Sequence, residues 1–288
     1  MLQVMMGALC AMSFGVADFM ASRSSRGIGA RSALTGMMLV SCLALSIIVP
    51  FAVSLPDLLN RGSVVACIHG AAMATALLLF FRAMELGPVS VAAPIVAAHP
   101  IFIIAFALAA GSRPSGVQLA AMVAIVAALA IVGAGNPAGS DAAKGSPRTA
   151  PRQAVVSALL ASIVYAIAII SAQQAMRWSD ELAVLWLGRL SGLLLLAIVF
   201  VASQQRPTIP IRWWPFFILH GLLDTAGLLF LLIGSIGELD EITAVVASTF
   251  TMITVGLAWF FHKERISLRR WAAIAVIFVS VGVLAAGF

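Results

Sequence analysis

The sequence predicts an all-α integral membrane protein: about ten transmembrane helices arranged as two inverted five-helix repeats around a central cavity. Three observations carry this. The apolar runs are each about 20 residues long. One polar segment divides the 288 residues near the middle, and the two halves align on one another.

Composition sets the class. Hydrophobic residues make up 62% and charged residues 10% of the chain, with a mean hydropathy of +1.10, whereas a soluble domain is roughly half apolar and about a quarter charged. That much apolar surface must face lipid or neighbouring helices. In lipid the backbone polar groups are satisfied only in helices or closed barrels. Barrel strands alternate apolar and polar residues over roughly ten positions; the runs here are unbroken and longer, so they are helices. The net charge of +6 lies in loops between apolar runs, which excludes a clustered nucleic-acid surface and fits the positive-inside rule.

The chain starts MLQVMMGALC, with no basic leader region and no cleavage site, so it is read as a first span and not a removable signal. Spans are placed at 2–22, 32–52, 63–82, 88–110, 115–134, 154–174, 181–201, 213–234, 241–261 and 268–287. Most connections are short and turn-like (Gly87-Pro88, Arg113-Pro114), which makes sequential helices antiparallel neighbours. Residues 135–153, GNPAGSDAAKGSPRTAPRQ, form a flexible linker. It separates a first repeat, 1–134, from a second, 154–288.

Sliding the second half onto the first by 151 residues places His220-Gly221 on His69-Gly70, Leu228-Leu229 on Leu77-Leu78, Ala244 on Ala93 and Ala275 on Ala124. A repeat of five spans must re-enter the membrane from the opposite side, so the repeats are inverted. That architecture belongs to transporters whose substrate site lies near mid-membrane between the repeats.

Orientation follows from the basic residues. One set of loops holds Arg23, Arg26, Arg31, Arg82, Lys144, Arg148, Arg152, Arg206, Arg212, Lys263, Arg265, Arg269 and Arg270; the other holds Arg61, Arg113 and Arg177. The first set is expected in the cytoplasm, which puts both termini outside the cell (inner or plasma) membrane.

Two stretches carry a family resemblance. RAMELGPVSVAAPIVAAHPIF, after the third span, looks like a short turn leading into a small-residue helix with an internal proline. FFHKERISLRRWAAIAVIFVSVGVL, after the ninth, is similar to a helix end, a Glu-Arg turn (Glu264-Arg265) and an amphipathic re-entry. In both, the chain resembles the EamA-like ten-helix members of the drug/metabolite transporter superfamily. Two positions depart from the family pattern: Ser112-Arg113 stands where Gly-Glu is usual, and Thr251 where a proline is expected opposite Pro100. The resemblance implies a secondary carrier for small metabolites, often an exporter, with cytoplasmic termini; the charge count implies the reverse orientation.

Ionisable groups inside spans cost about 2.5–3.5 kcal/mol on insertion scales and usually face a cavity or a partner. The candidates are Asp18, His69, His99, Arg189, His220 and Asp224. His220 is one turn from Asp224 on the same face, and Arg189 lies on the preceding span. Arg189 and Asp224 make either a site, in which Arg189 holds an anionic group and Asp224 or His220 exchanges a proton, or a buried pair that locks two helices. Asp18 falls about one turn from the end of span one, beside Arg23 and Arg26, as an interface carboxylate or as part of the site. His69 and His220, each before a glycine, are core residues or site residues at equivalent repeat positions. Pro94 and Pro100 flank His99 in span four as helix-break candidates, and a proline-interrupted span is the best pointer to a transporter site. The ninth span instead offers hydroxyls at Thr243, Ser248, Thr249, Thr251 and Thr254, for packing or for a wet cavity. Tyr165 and Trp186 provide an aromatic wall, Trp213 and Trp214 interface anchors, and Glu264 with Arg265 a structural turn. Cys10, Cys42 and Cys67 are small apolar core residues. No metal and no cofactor are expected.

The expected function is a secondary, proton-coupled transporter of a small polar metabolite such as an amino acid, working as an exporter. Its expected partners are a small-molecule substrate and the lipid bilayer, without nucleic acid, and ten spans suffice for a monomer to enclose a cavity. An enzyme is not expected. The alternatives are an intramembrane lipid-processing enzyme using His and Asp at mid-depth, or a channel or structural subunit, for which no repeated filter motif is present.

Overall fold

The computed structural model describes residues 2–54, 60–109, 111, 115–134, 150–234, 243, 246–247, 249–264 and 266–285. Among these there are helices and no strands. The main helices are α1 (Leu2–Ile28), α2 (Ala30–Ala52), α3 (Arg61–Leu86), α4 (Val89–Ala97), α5 (Pro100–Ala109), α6 (Gly116–Ala134), α7 (Ala150–Ala175), α8 (Glu181–Ala202), α9 (Trp214–Gly234), α10 (Phe250–Phe261) and α11 (Leu268–Ala285). Seven stretches are long and apolar enough to cross a membrane alone, counting α4 and the start of α5 as one. The ten-span reading holds, with differences at the ends. α1 runs six residues past the predicted end at 22, and α7 begins at Ala150, so the last residues of the expected linker are helical. Ser112, Arg113, Ser248, Arg265 and the rest of the linker lie outside the described residues.

The fourth span is broken, as its prolines foretell, but at one of them only. Pro100 opens α5 at a first-turn position that needs no amide donor. Pro94 lies inside α4, which continues through it.

Packing follows the repeat. α1 lies against α9, and α7, the equivalent of α1, lies against α3, the equivalent of α9. Likewise α2 packs on α9 and α8 on α3, while α6 pairs with α11 and α4 with α10 across the pseudo-axis. The correspondence reaches single atoms. A Cβ on Gly70 would strike the Gly188 carbonyl and the Ser191 hydroxyl; one on Gly221 would strike the Met37 carbonyl and Val40. The offset of 151 that superposes Gly221 on Gly70 also carries Met37 to Gly188 and Val40 to Ser191. Two helix crossings are thus the same crossing, built once in each half and inverted. Small residues at both crossings let backbones approach without lipid between them, which is what holds helices together where no hydrophobic force does.

Lipid takes the outer surface. Val123, Leu194, Ile198, Phe260 and Val279 are exposed, and so is Cys67, which corrects its assignment to the core; Cys10 and Cys42 are buried.

Candidate functional site

The longer α1 changes the place of Asp18. Ile28 ends the helix, so Asp18 lies ten residues from that end and not one turn. Asp224 likewise lies ten residues from the start of α9 at Trp214, on the same side of the membrane. Ten residues of helix rise about 15 Å, half of a hydrocarbon core of about 30 Å. Asp18 and Asp224 therefore share the middle level.

Arg189 and Asp224 form the pair the sequence left open. An Nη2 of Arg189 donates to Oδ2 of Asp224 at 2.5 Å, and both residues are buried. The Ser41 hydroxyl on α2 donates to the same oxygen at 2.9 Å, and Thr225 donates to Ser41 at 3.0 Å. Arg189 sits between Gly188 and Gly192, a small-xxx-small pair facing α3. That motif was legible in the sequence but is absent from the expected set. The pair exists in one repeat only: the offset that aligns the halves puts Met38 opposite Arg189 and Met73 opposite Asp224.

Asp18, by contrast, makes no hydrogen bond or ion pair among the described residues. Asp18, His99 and Tyr165 are each partly buried. The Tyr165 ring on α7 lies 4.7 Å from that of His99, at the break between α4 and α5. This contact joins α7 to the broken fourth span, while the Arg189–Asp224 pair joins α8 to α9. Trp186 is tied by its indole N–H to Ser46 at 2.8 Å.

The two repeat-equivalent histidines differ. His69 is a satisfied core residue: its Nδ1 meets the Ala168 carbonyl at 2.8 Å. His220 stacks on Phe81 with ring centroids 6.1 Å apart, and its buried Nδ1 has no partner among the described residues. Thr249 bonds its own helix through the Val246 carbonyl, Thr254 reaches Gly15 on α1, and the buried Thr251 hydroxyl has no partner among the described residues. Thr249 and Thr254 therefore serve helix geometry and packing.

A second cluster sits at the membrane face that carries the basic loops. Glu264, which follows α10, accepts from the amides of Val89 and Ser90 at 2.9 and 3.0 Å and so caps α4. Arg26 donates to the Met84 and Gly87 carbonyls at 3.0 and 2.9 Å and lies 3.6 Å from Glu264. Anion at a helix N-terminus and cation at a C-terminus both complement the backbone dipoles. His262 meets the Ser22 hydroxyl at 3.0 Å. Partial burial, then the nearby Arg26 and Arg23, hold its pKa below the ordinary 6.5, with Glu264 opposing. Together these contacts clasp α1, α3, α4 and α10. Trp213 packs on Gly27 beside them, so it anchors protein as well as interface.

No curated protein matches the chain. A solved structure described only as "Crystal structure of protein" is similar, with a TM-score of 0.63 at 16% identity over 96% of this chain and 95% of that one. At that identity it shows a shared fold. The EamA-like transporter family model matches twice, at residues 1–134 and 152–286, once on each repeat. The chain is a multi-pass membrane transporter of the drug/metabolite type, and it belongs to the EamA-like transporter family.

Proposed function

We propose that this chain is a secondary carrier that exports a small polar metabolite, such as an amino acid or related compound, across the cell membrane in exchange for protons. One observation carries the reading: Asp18, without a hydrogen-bond or ion-pair partner among the described residues, lies midway along a membrane-spanning helix. A charge held at that depth without a partner is costly, and exchange of a proton or a substrate group gives it a use. Inverted repeats supply the matching mechanics, since rocking one against the other exposes a fixed central site to either face in turn. The Arg189–Asp224 pair is not needed for this step; it fixes α8 to α9. Export is the direction the resemblance implies.

The test is flux of a metabolite panel in proteoliposomes of the purified chain, with and without an imposed pH gradient. Uphill movement of at least one solute under the gradient, lost when the gradient is collapsed, is expected. If no solute moves in either direction, the carrier reading fails; if one moves at a rate blind to the gradient, proton coupling fails alone.

A further inference from the structure

We infer that the contacts made by Ser22, Arg26, His262 and Glu264 are the gate of one membrane face, and that they part and re-form in every transport cycle. This rests on the carrier reading and assigns residues to its moving step.

Each of these contacts joins the two repeats. Glu264 and His262 belong to the second; the Val89 and Ser90 amides, Arg26 and Ser22 belong to the first. All of them lie at the face that carries the basic loops. When one repeat rocks against the other, contacts between them at a face hold that face shut and separate as it opens. The Arg189–Asp224 pair is different, because both residues belong to the second repeat and move together.

The chemistry suits repeated parting. The Arg26 side chain is 33% exposed and lies 3.6 Å from the Glu264 carboxylate, so water replaces each partner as the two separate. The closed face also carries a counterweight. The Ser25 hydroxyl, next to Arg26, and the Trp213 indole N–H are buried without a partner among the described residues; Trp213 packs on Gly27. Opening hydrates both groups and offsets part of what the broken contacts lose.

The gate is one-sided. The offset of 151 carries Ser22, Arg26, His262 and Glu264 to Gln173, Arg177, Gly111 and Arg113. A cation stands in place of the carboxylate and a glycine in place of the imidazole, so the opposite face cannot close with the same contacts.

A metal bridge tests the assignment. The Ser22 hydroxyl lies 3.0 Å from Nε2 of His262, so in Ser22→Cys the introduced thiolate and the native imidazole can share one Cd²⁺ ion. The full chain carrying Ser22→Cys, with the exposed Cys67 changed to Ser, is reconstituted in proteoliposomes. Solute flux is read before Cd²⁺, with micromolar Cd²⁺ and after EDTA, and Cd²⁺ binding is followed by the ultraviolet band of the metal–thiolate bond. Cd²⁺ is expected to cut flux at least about tenfold, EDTA to restore it, and a further His262→Gln to remove the effect. Full flux with Cd²⁺ bound overturns the inference, since the contacts would then be a strut that never opens; failure of Cd²⁺ to bind overturns it too. In detergent, where no flux is needed, the introduced thiol lies under the gate, at a position that is fully buried. Glu264→Gln is expected to raise its rate of maleimide labelling at least about fivefold, and an equal rate overturns the inference. A wild-type chain that moves no solute sinks the carrier reading alone, and the labelling comparison then still decides whether these contacts open.

Discussion

Arg189 and Asp224 meet 2.5 Å apart in the middle of the membrane, one on α8 and one on α9. Their equivalents at the offset of 151 are Met38 and Met73, which carry no charge. Removing one partner of a buried pair strands the other, at about 3–5 kcal/mol. Arg189→Met and Asp224→Met are each expected to lower the unfolding midpoint in detergent markedly. The double change copies the other repeat's arrangement and is expected to recover most of the loss. If the double variant is as unstable as the worse single one, the pair is more than a lock.

Glu264 links the halves differently. It belongs to the second repeat, but the helix it caps, α4, belongs to the first. Glu264→Ala leaves two amides of α4 without acceptors and Arg26 without its carboxylate. The expected loss is about 1–2 kcal/mol, read as a lower thermal midpoint. Glu264→Gln keeps one acceptor oxygen and is expected to fall between. Equal midpoints for all three proteins would mean the cap contributes nothing.

His262 makes the same clasp sensitive to acid. Its pKa lies below the ordinary 6.5, so the folded protein favours the neutral ring. A lowered histidine contributes stability that is complete above the unfolded value and is lost as pH falls below about 6.5. Only when pH reaches the lowered pKa does the folded ring gain a charge beside Arg23 and Arg26. Stability measured across this range is expected to decline on the acid side, and His262→Gln to flatten the decline. An unaltered slope in the variant would remove His262 from the account.

Glycine tests the crossings. Gly70→Ala and Gly221→Ala each drive a methyl into the opposing backbone at equivalent crossings, while nothing lies within 4 Å of the corresponding position at Gly256. Overpacking costs about 1–3 kcal/mol, so both crossing variants are expected to unfold earlier. Gly256→Ala, inside α10, is expected to be neutral or to stabilise by up to about 1 kcal/mol through helix propensity. Similar midpoints for all three would show that the close approach at Gly70 and Gly221 relaxes freely.

Span count and repeat were legible because hydropathy and parity are local properties of the chain. The Arg189–Asp224 contact was legible as a possibility, since a short loop joins their helices. The depth of Asp18 was not. Arg23 and Arg26 follow it and resemble an interfacial end, but α1 extends to Ile28 because Ser24 and Ser25 are buried and Arg26 finds carbonyl acceptors on α3. Helix ends set by tertiary partners leave no local signal. The Glu264 cap was hidden for the same reason: its partners, Val89 and Ser90, are about 175 residues away in sequence.

Orientation sets two arguments against each other. The resemblance implies cytoplasmic termini, whereas thirteen of the sixteen loop Lys and Arg residues lie on the face opposite the termini. Short loops obey their own charge bias closely, and every loop but the linker is short. On that charge bias the clasp of Arg26 and Glu264 is expected on the cytoplasmic side. A reporter that is active only outside the membrane, fused at the C-terminus, is expected to be active, and one fused into the linker inactive. The reverse pattern would show that family topology overrides a bias of this size, and would move the acid-sensitive His262 to the external face.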